Sequence, residues 1–316
     1  MCTAICEGEG ALFGRTLDLE CSFGEAAVIT PRNFAFHFLN EEDILSHHAI
    51  IGIAHVEGGV PLYYDAMNEA GLCIAALNFP RYAVYCKPST KAHNVASFEL
   101  IPWLLSKCAS VREAKELLEN TNITDDNFSE KLKPTPLHFI ICDKYGCITV
   151  EPLSSGLRIY DNFVGVMTNS PPFDYHITRL SDFMSLGSFA PENNLCPSVD
   201  LPHYSRGMGA IGLPGDFSSS SRFIRAVFAK SHATKKASKR EQINRFFHIF
   251  DTVNIPAGCV KTEKGEDVYT VYTSLADRDT LKYYFTTYGC RKIRQISLRE
   301  SLLDGDKLSV FDMNAE

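Results

Sequence analysis

The chain has 316 residues, 45% of them hydrophobic and 22% charged, the balance of a folded globular protein. A formal net charge of -7 leaves no excess of lysine and arginine to neutralise phosphates, so nucleic-acid binding is not expected. No run approaches roughly 18 apolar residues, and Glu7, Glu9, Arg15, Asp18 and Glu20 interrupt any leader-like apolar stretch, so neither a membrane span nor a secretory signal is expected.

Strands dominate the first third: "CTAIC", "ALFGRTLDLE", "AAVITP", "AIIGIAHV", "LYYDAM" and "GLCIAALNF". The last two flank "NEAG", whose Asn and Gly suit a tight turn, so they are expected to pair as a hairpin. "GEGALFG", Gly8 to Gly14, has glycines spaced almost like a dinucleotide-binding loop. Its third glycine comes one residue late and no crossover helix follows, so a hairpin turn is expected there. In "FELIPWLLSKC" the apolar residues Leu100, Ile101, Leu104, Leu105 and Cys108 share one helical face, and Pro102 fits a first turn. "SVREAKELLEN" opens with Ser110 and Glu113, the S-x-x-E spacing that satisfies amides at a helix start; Ser238 and Glu241 repeat it before "QINRFFHIFDTV". A second hairpin is expected where "LHFIICD" and "CITVEPL" meet around "KYG". "SRFIRAVFAKSHA" reads as helix, and strands return in "DVYTVYTSLA", "LKYYFTTY" and "KIRQISL". The basic stretch from Lys230 to Arg245 reads as a solvated helical surface. Residues 191–215, rich in Pro, Asn and Gly, read as a long surface excursion. With no repeat or linker, the pattern implies one domain over 1–316, with helices covering antiparallel sheets.

The 11 cysteines form no CxxC pair and have no histidine at zinc-ligand spacing, which points to reduced thiols in a cytoplasmic protein with no metal and no cofactor. One of them, Cys2, stands directly behind Met1. A small residue at position 2 permits removal of the initiator methionine, leaving an α-amine (pKa roughly 7.7–8.0) beside a thiol (about 8.5). One residue then supplies both nucleophile and base. Taken alone, Cys2 is equally compatible with one more buried thiol. Arg15 and Asp18 in "GRTLDLE" add to the case, since a carboxylate would orient the amine and a guanidinium would favour thiolate. At strand periodicity the two face opposite sides, so both reach one site only if a turn or bulge intervenes. Three more polar residues stand in apolar surroundings: Asn78 at the end of "GLCIAALNFP", Asn169 in "GVMTNSPP" and Arg222 in "GLPGDFSSSSRF". Each alone is a turn-forming Asn or a helix-flanking Arg. Together they suit amide hydrolysis, with two side-chain amides to face a developing oxyanion.

The motifs "MCTAI", "FGRTLDLE", "NEAGLCIAALNFP", "GVMTNSPPFDYHITRL", "GLPGDFSSSSRFIRA" and "YTVYTSLADRDTLKYYFTTY" resemble, in order and spacing, the choloylglycine hydrolase family of N-terminal-nucleophile hydrolases, which includes bile salt hydrolases and penicillin V acylases. The resemblance runs from Met1 to about Met313. It implies an αββα sandwich, two antiparallel sheets between helical layers, often assembled as a homotetramer through residues such as 191–215. It also implies a Cys2 thioester intermediate, with Asp18 holding the amine, Arg15 and Arg222 tuning the thiol, and Asn78 and Asn169 serving the oxyanion. Asn78, where penicillin V acylases tend to have Tyr, favours conjugated bile salts as the substrate, with Leu17 and Phe79 as candidate cleft walls. Thr16 and Arg81 depart from the family, which commonly has Asn and Gly at those places. The competing readings are a penicillin V or other N-acyl amide acylase and a non-catalytic bile-salt binder. A Cys–His protease is a third, but the "CGSCW"-type signature is missing.

Overall fold

In a computed structural model, residues 1–7, 11–235, 237–298 and 303–314 are described. The opening hairpin is β1 (Cys2–Cys6) and β2 (Leu12–Leu19); the expected turn glycines Gly8 and Gly10 lie outside the described residues. It is followed by β3 (Ala26–Thr30), β4 (Ile50–Glu57), β5 (Val60–Asn68) and β6 (Cys73–Asn78). The β5–β6 hairpin turns through "NEAG", with Gly71 at φ 88°. A short parallel pair, β7 (His93–Ala96) and β8 (Thr121–Thr124), brackets α1 (Leu100–Lys107) and α2 (Val111–Leu118). Then come β9 (Leu137–Cys142) and β10 (Cys147–Leu153), paired as expected, β11 (Gly156–Asp161), β12 (Val166–Met167) and α3 (Phe173–Arg179). After the excursion stand α4 (Ser219–His232) and α5 (Lys239–Asp251), and the chain closes with β13 (Val260–Lys261), β14 (Asp267–Asp277), β15 (Lys282–Thr287), β16 (Arg294–Ser297) and β17 (Ser309–Asp312).

These strands make two antiparallel sheets. One runs β12-β1-β2-β14-β15-β16, with β13 on β14; the other runs β11-β10-β9-β6-β5-β4-β3-β17. Apolar residues on both faces of each sheet force a four-layer solution. Trp103, Leu104 and Leu118 of α1 and α2 cover Ile74, Phe139 and Val150 on the outside of the second sheet. Phe223, Phe246 and Phe250 of α4 and α5 cover Ile5, Leu12 and Leu275 on the outside of the first. Between the sheets lie Ile51, Met67, Ile140 and Tyr283, together with Cys2 and Leu17. This is the αββα sandwich. Gly14 lets the layers close: a Cβ there would sit 2.3 Å from the Ser274 carbonyl oxygen and 3.0 Å from the Phe250 ring.

Both expected caps form. The Ser110 hydroxyl accepts from the Glu113 amide and that of Ser238 from the Glu241 amide, each at 3.3 Å. The basic stretch is less uniform than expected. It breaks between α4 and α5, Lys236 lies outside the described residues, and Arg245 is turned inward to pair with Glu7. Residues 191–215 form a surface excursion whose regular structure is a single 3-10 turn at Met208–Ala210, with Leu195 and Tyr204 largely exposed. No helix among the described residues is long and apolar enough to cross a membrane.

Candidate active site

The Cys2 side chain projects from the first residue of β1 into the apolar layer between the sheets. The Arg15 Nη2 donates to its sulfur at 2.7 Å. The rest of that guanidinium is pinned by backbone carbonyls: Nε to Thr16 at 3.1 Å, and Nη1 to Tyr64 at 3.1 Å and Ala76 at 2.8 Å. Arg15 therefore spans both sheets. Burial alone would make it easier to deprotonate, but Cys2, Tyr272, Asp65 and Asp18 outweigh that and raise its pKa above the ordinary arginine value.

The backbone of Cys2 is held by a different set of groups. Its nitrogen donates to Asn169 Oδ1 at 2.8 Å, and its carbonyl accepts from Arg222 Nη1 at 2.5 Å. Arg222 also reaches Thr3 Oγ1 at 2.7 Å and, through Nη2, Asn169 Oδ1 at 2.6 Å. Its pKa is lowered by burial, which Asp18 and Cys2 oppose. The serine run before it is structural. Ser218 caps α4, and the Ser219 hydroxyl accepts from the Asn169 amide at 2.9 Å. Met1 is in place, its amine donating to the Asp18 carbonyl oxygen.

Arg15 and Asp18 do face opposite sides of β2, and the β1–β2 register is regular from Cys2↔Leu17 to Cys6↔Phe13. The irregularity anticipated in "GRTLDLE" lies instead on its neighbour. β14 carries an extra residue, Val271, between Thr270 (opposite Asp18) and Tyr272 (opposite Leu17). Thr270 Oγ1 thus donates to Asp18 Oδ1 at 2.7 Å, while Tyr272 points between the sheets. Asp18 Oδ2 accepts from Thr16 Oγ1 at 3.2 Å and lies 3.9 Å from Arg222 Nη1. Arg15 addresses the Cys2 sulfur from one face, while on the other Asp18 reaches Cys2 only through Arg222, which holds its carbonyl.

The two asparagines expected as twin oxyanion donors have different surroundings. Asn169 Nδ2 donates to the backbone carbonyl of Asn78 at 2.7 Å, so its amide is engaged on both sides. Asn78 Oδ1 is buried with no hydrogen-bond partner among the described residues. Of the two expected wall residues, Leu17 faces Cys2 across the β1–β2 pair, buried at 3% exposure. Phe79 is fully enclosed, stacked on His138 at 4.2 Å and Tyr82 at 5.5 Å, so it lies behind the site and offers no free face. Arg81 has φ 71°, the left-handed region that glycine occupies without steric cost, which gives a physical reason for the Gly that the family resemblance leads one to expect there. Two cavities, of about 170 and 430 Å³, both border Tyr272; Cys2 lines neither. Among the described residues no three His, Cys, Asp or Glu side chains are grouped to hold a metal ion.

Sequence reasoning missed Asp65, Thr270, Ser219 and His176, the last with its Nε2 donating to the Asn169 carbonyl at 2.9 Å. An aspartate inside the apolar run "LYYDAM" was the one local signal available.

Two antiparallel sheets between helices, with a position-2 cysteine at the margin of the inner layer, define an N-terminal-nucleophile hydrolase fold. The family model for linear amide C–N hydrolases of the choloylglycine hydrolase family matches residues 2–311. A bile salt hydrolase/transferase of Lactiplantibacillus plantarum is 44% identical over 100% of this chain and 98% of its own. Another from Clostridium perfringens is 35% identical over 96% and 93%. The crystal structure of the C2A mutant of the conjugated bile acid hydrolase from Clostridium perfringens aligns with a TM-score of 0.91 at 33% identity, covering 99% of this chain and 97% of that one. A penicillin V acylase from Agrobacterium tumefaciens shares the fold, with a TM-score of 0.78 at 22% identity over 100% and 92%. The chain belongs to the choloylglycine hydrolase family and is a hydrolase of linear amide C–N bonds.

Proposed function

We propose that this protein deconjugates bile salts, releasing glycine or taurine through a Cys2 thioester. The observation that carries this reading is that the sulfur and the nitrogen of one residue are each held by a separate polar group, Arg15 and Asn169. Once Met1 is removed, the nitrogen becomes a primary amine and takes the thiol proton. The thiolate, facing Arg15, attacks the substrate carbonyl, and the Asn78 side-chain amide donates to the oxyanion. Collapse breaks the C–N bond, and the α-ammonium protonates the departing amine. Water, deprotonated by the same amine, then attacks the thioester, releases the acid and restores the thiol. Asn169 and Arg222 hold the Cys2 backbone, while Asp18, fixed by Thr270, supports Arg222 and orients the amine. Arg15 keeps the sulfur reactive.

The bile-salt assignment rests on the names of the relatives and on Asn78. Both curated relatives named above are called hydrolase/transferase; in this protein, an amine in place of water would turn the thioester into a new amide. The exposed apolar residues of 191–215 fit a subunit contact in a homotetramer, and eleven free thiols fit a reducing, cytoplasmic setting. The test is to compare glycine or taurine release from conjugated bile salts with release of 6-aminopenicillanic acid from penicillin V, using protein whose N-terminus is shown by mass spectrometry to be Cys2. Faster bile-salt turnover is expected. A faster penicillin reaction would overturn the substrate assignment, and equal activity with Met1 retained would overturn the mechanism.

A further inference from the structure

One buried charge at the site is not used by this mechanism. Asp65, on β5 and fully buried, accepts from the Tyr272 hydroxyl at 2.5 Å, from the Ser274 hydroxyl at 2.6 Å and from the Tyr283 hydroxyl. Its Oδ1 lies 3.9 Å from Arg15 Nε. The donors come from β14 and β15 of one sheet, whereas Asp65 belongs to the other, so this polar cluster crosses the apolar layer just where Arg15 does. The β4–β5 register slips here, leaving Tyr64 as an extra residue whose carbonyl takes Arg15 Nη1.

We propose, resting on the Cys2 thiolate reading above, that Asp65 is a positioning residue that acts through Arg15: its negative charge offsets the guanidinium and sets the acidity of the Cys2 thiol. Three backbone carbonyls already fix where Arg15 points, so what Asp65 adds is charge. The groups around the sulfur can be counted by element. β2 brings Arg15 and Asp18, α4 brings Arg222, and β5 brings Asp65 and Tyr64. β14 and β15 bring Tyr272 and Tyr283. Burial pushes all three phenols up, so they stay neutral near neutral pH. With Asp65 held ionised by Arg15 and its three hydroxyl donors, these two cations balance two anions, and a thiolate beside the new α-ammonium adds no net charge to a buried site. Without Asp65 the balance would be positive. The thiolate would form at lower pH but be a weaker nucleophile, because thiolate reactivity falls with its basicity. Burial also makes Asp65 harder to ionise, which Arg15 and the three hydroxyls oppose, so its charge depends on those donors.

The experiment follows Cys2 alkylation by iodoacetamide against pH, read on the N-terminal peptide of the mature protein, with the pH profile of kcat/KM alongside. Asp65→Asn is expected to move the acid limb of both profiles down by about one pH unit, with plateau alkylation falling about threefold. Simple structural damage would lower the plateau and leave the limb in place. Ser274→Ala, which removes one donor and keeps the chain's packing, is expected to move the limb the same way by less, and it decides the matter if Asp65→Asn does not fold. An unmoved or upward-shifted alkylation limb in the deciding variant overturns the proposal. Alkylation that shifts as expected in a protein with no bile-salt turnover would leave this inference standing and refute the substrate assignment instead.

Discussion

Cys2 and Cys6 lie on the same strand, on the same face and in the same apolar layer, with 2% and 1% of their surface exposed. Burial does not distinguish them, and neither does access to a cation. Cys6 is held well below the ordinary thiol range by hydrogen bonds from Cys142 and Cys147, against the cost of burial, with Arg278 and Lys230 adding to the effect. A thiolate-favouring environment is therefore not enough to mark a nucleophile. The difference lies in the backbone. The Cys6 nitrogen is an ordinary strand amide, donating to the Gly165 carbonyl at 2.7 Å, and no processing step can free it. The Cys2 nitrogen is one peptide bond from the chain start, and it is held by a side chain. On the proposed mechanism, a sulfur becomes a catalyst here when a proton carrier sits on the same residue.

The comparison breaks most sharply by deletion. Cys2→Ala is expected to lose roughly 10⁴-fold or more in kcat while still binding substrate, whereas Cys6→Ala keeps turnover within about threefold. Substantial hydrolysis by the first variant, or its loss in the second, would reverse the assignment. A finer cut removes what Cys2 has and Cys6 lacks. Asn169→Ala takes away the acceptor of the Cys2 nitrogen, a partner of Arg222 and the tie to Asn78, and a fall of about 10²–10³-fold in kcat is expected, comparable to losing an oxyanion donor. Steady-state kinetics on processed protein measures it, and a change confined to KM would mean that Asn169 binds substrate without serving the chemistry.

How far the sequence anticipated this site depended on distance along the chain. The β5–β6 hairpin at "NEAG" and the caps at Ser110 and Ser238 are local, so a few adjacent residues were enough to predict them. Cys2, Arg15, Asp18, Asn78, Asn169 and Arg222 could be listed because their motifs resemble a known family, but their contacts could not be derived. The bond between Arg222 and the Cys2 carbonyl spans 220 positions, and that between Ser274 and Asp65 spans 209. No periodicity encodes such pairs. The opposite facing of Arg15 and Asp18 was legible from strand geometry, but its resolution was not, because the extra residue sits on β14, more than 250 positions away. The surroundings of Phe79 were hidden for a related reason. A large aromatic beside a candidate site suits a wall and a supporting layer equally well until His138 and Tyr82 are seen stacked against it.

The smallest expected effect lies one contact further out, at the histidine that holds Asn169. The His176 Nε2 donates to the Asn169 carbonyl, and its ring stacks on Phe223 at 4.9 Å. Burial lowers its pKa from 6.5 to about 4, because a charged ring in this apolar pocket would lose its hydration. The unfolded chain therefore binds a proton that the folded chain refuses. The resulting stability is fully present above about 6.5 and is lost as pH falls towards about 4, amounting to about 3 kcal/mol over that window. His176→Gln keeps a donor for the carbonyl and cannot titrate. The variant should be less stable than the parent at pH 7, with the gap closing as pH falls to 4.5. Denaturant melts at several pH values measure the gap directly, and every other titrating group cancels in the difference between the two proteins. A gap that stays constant with pH would mean that His176 keeps its ordinary pKa in the fold and is not held neutral by burial beside the Asn169 carbonyl.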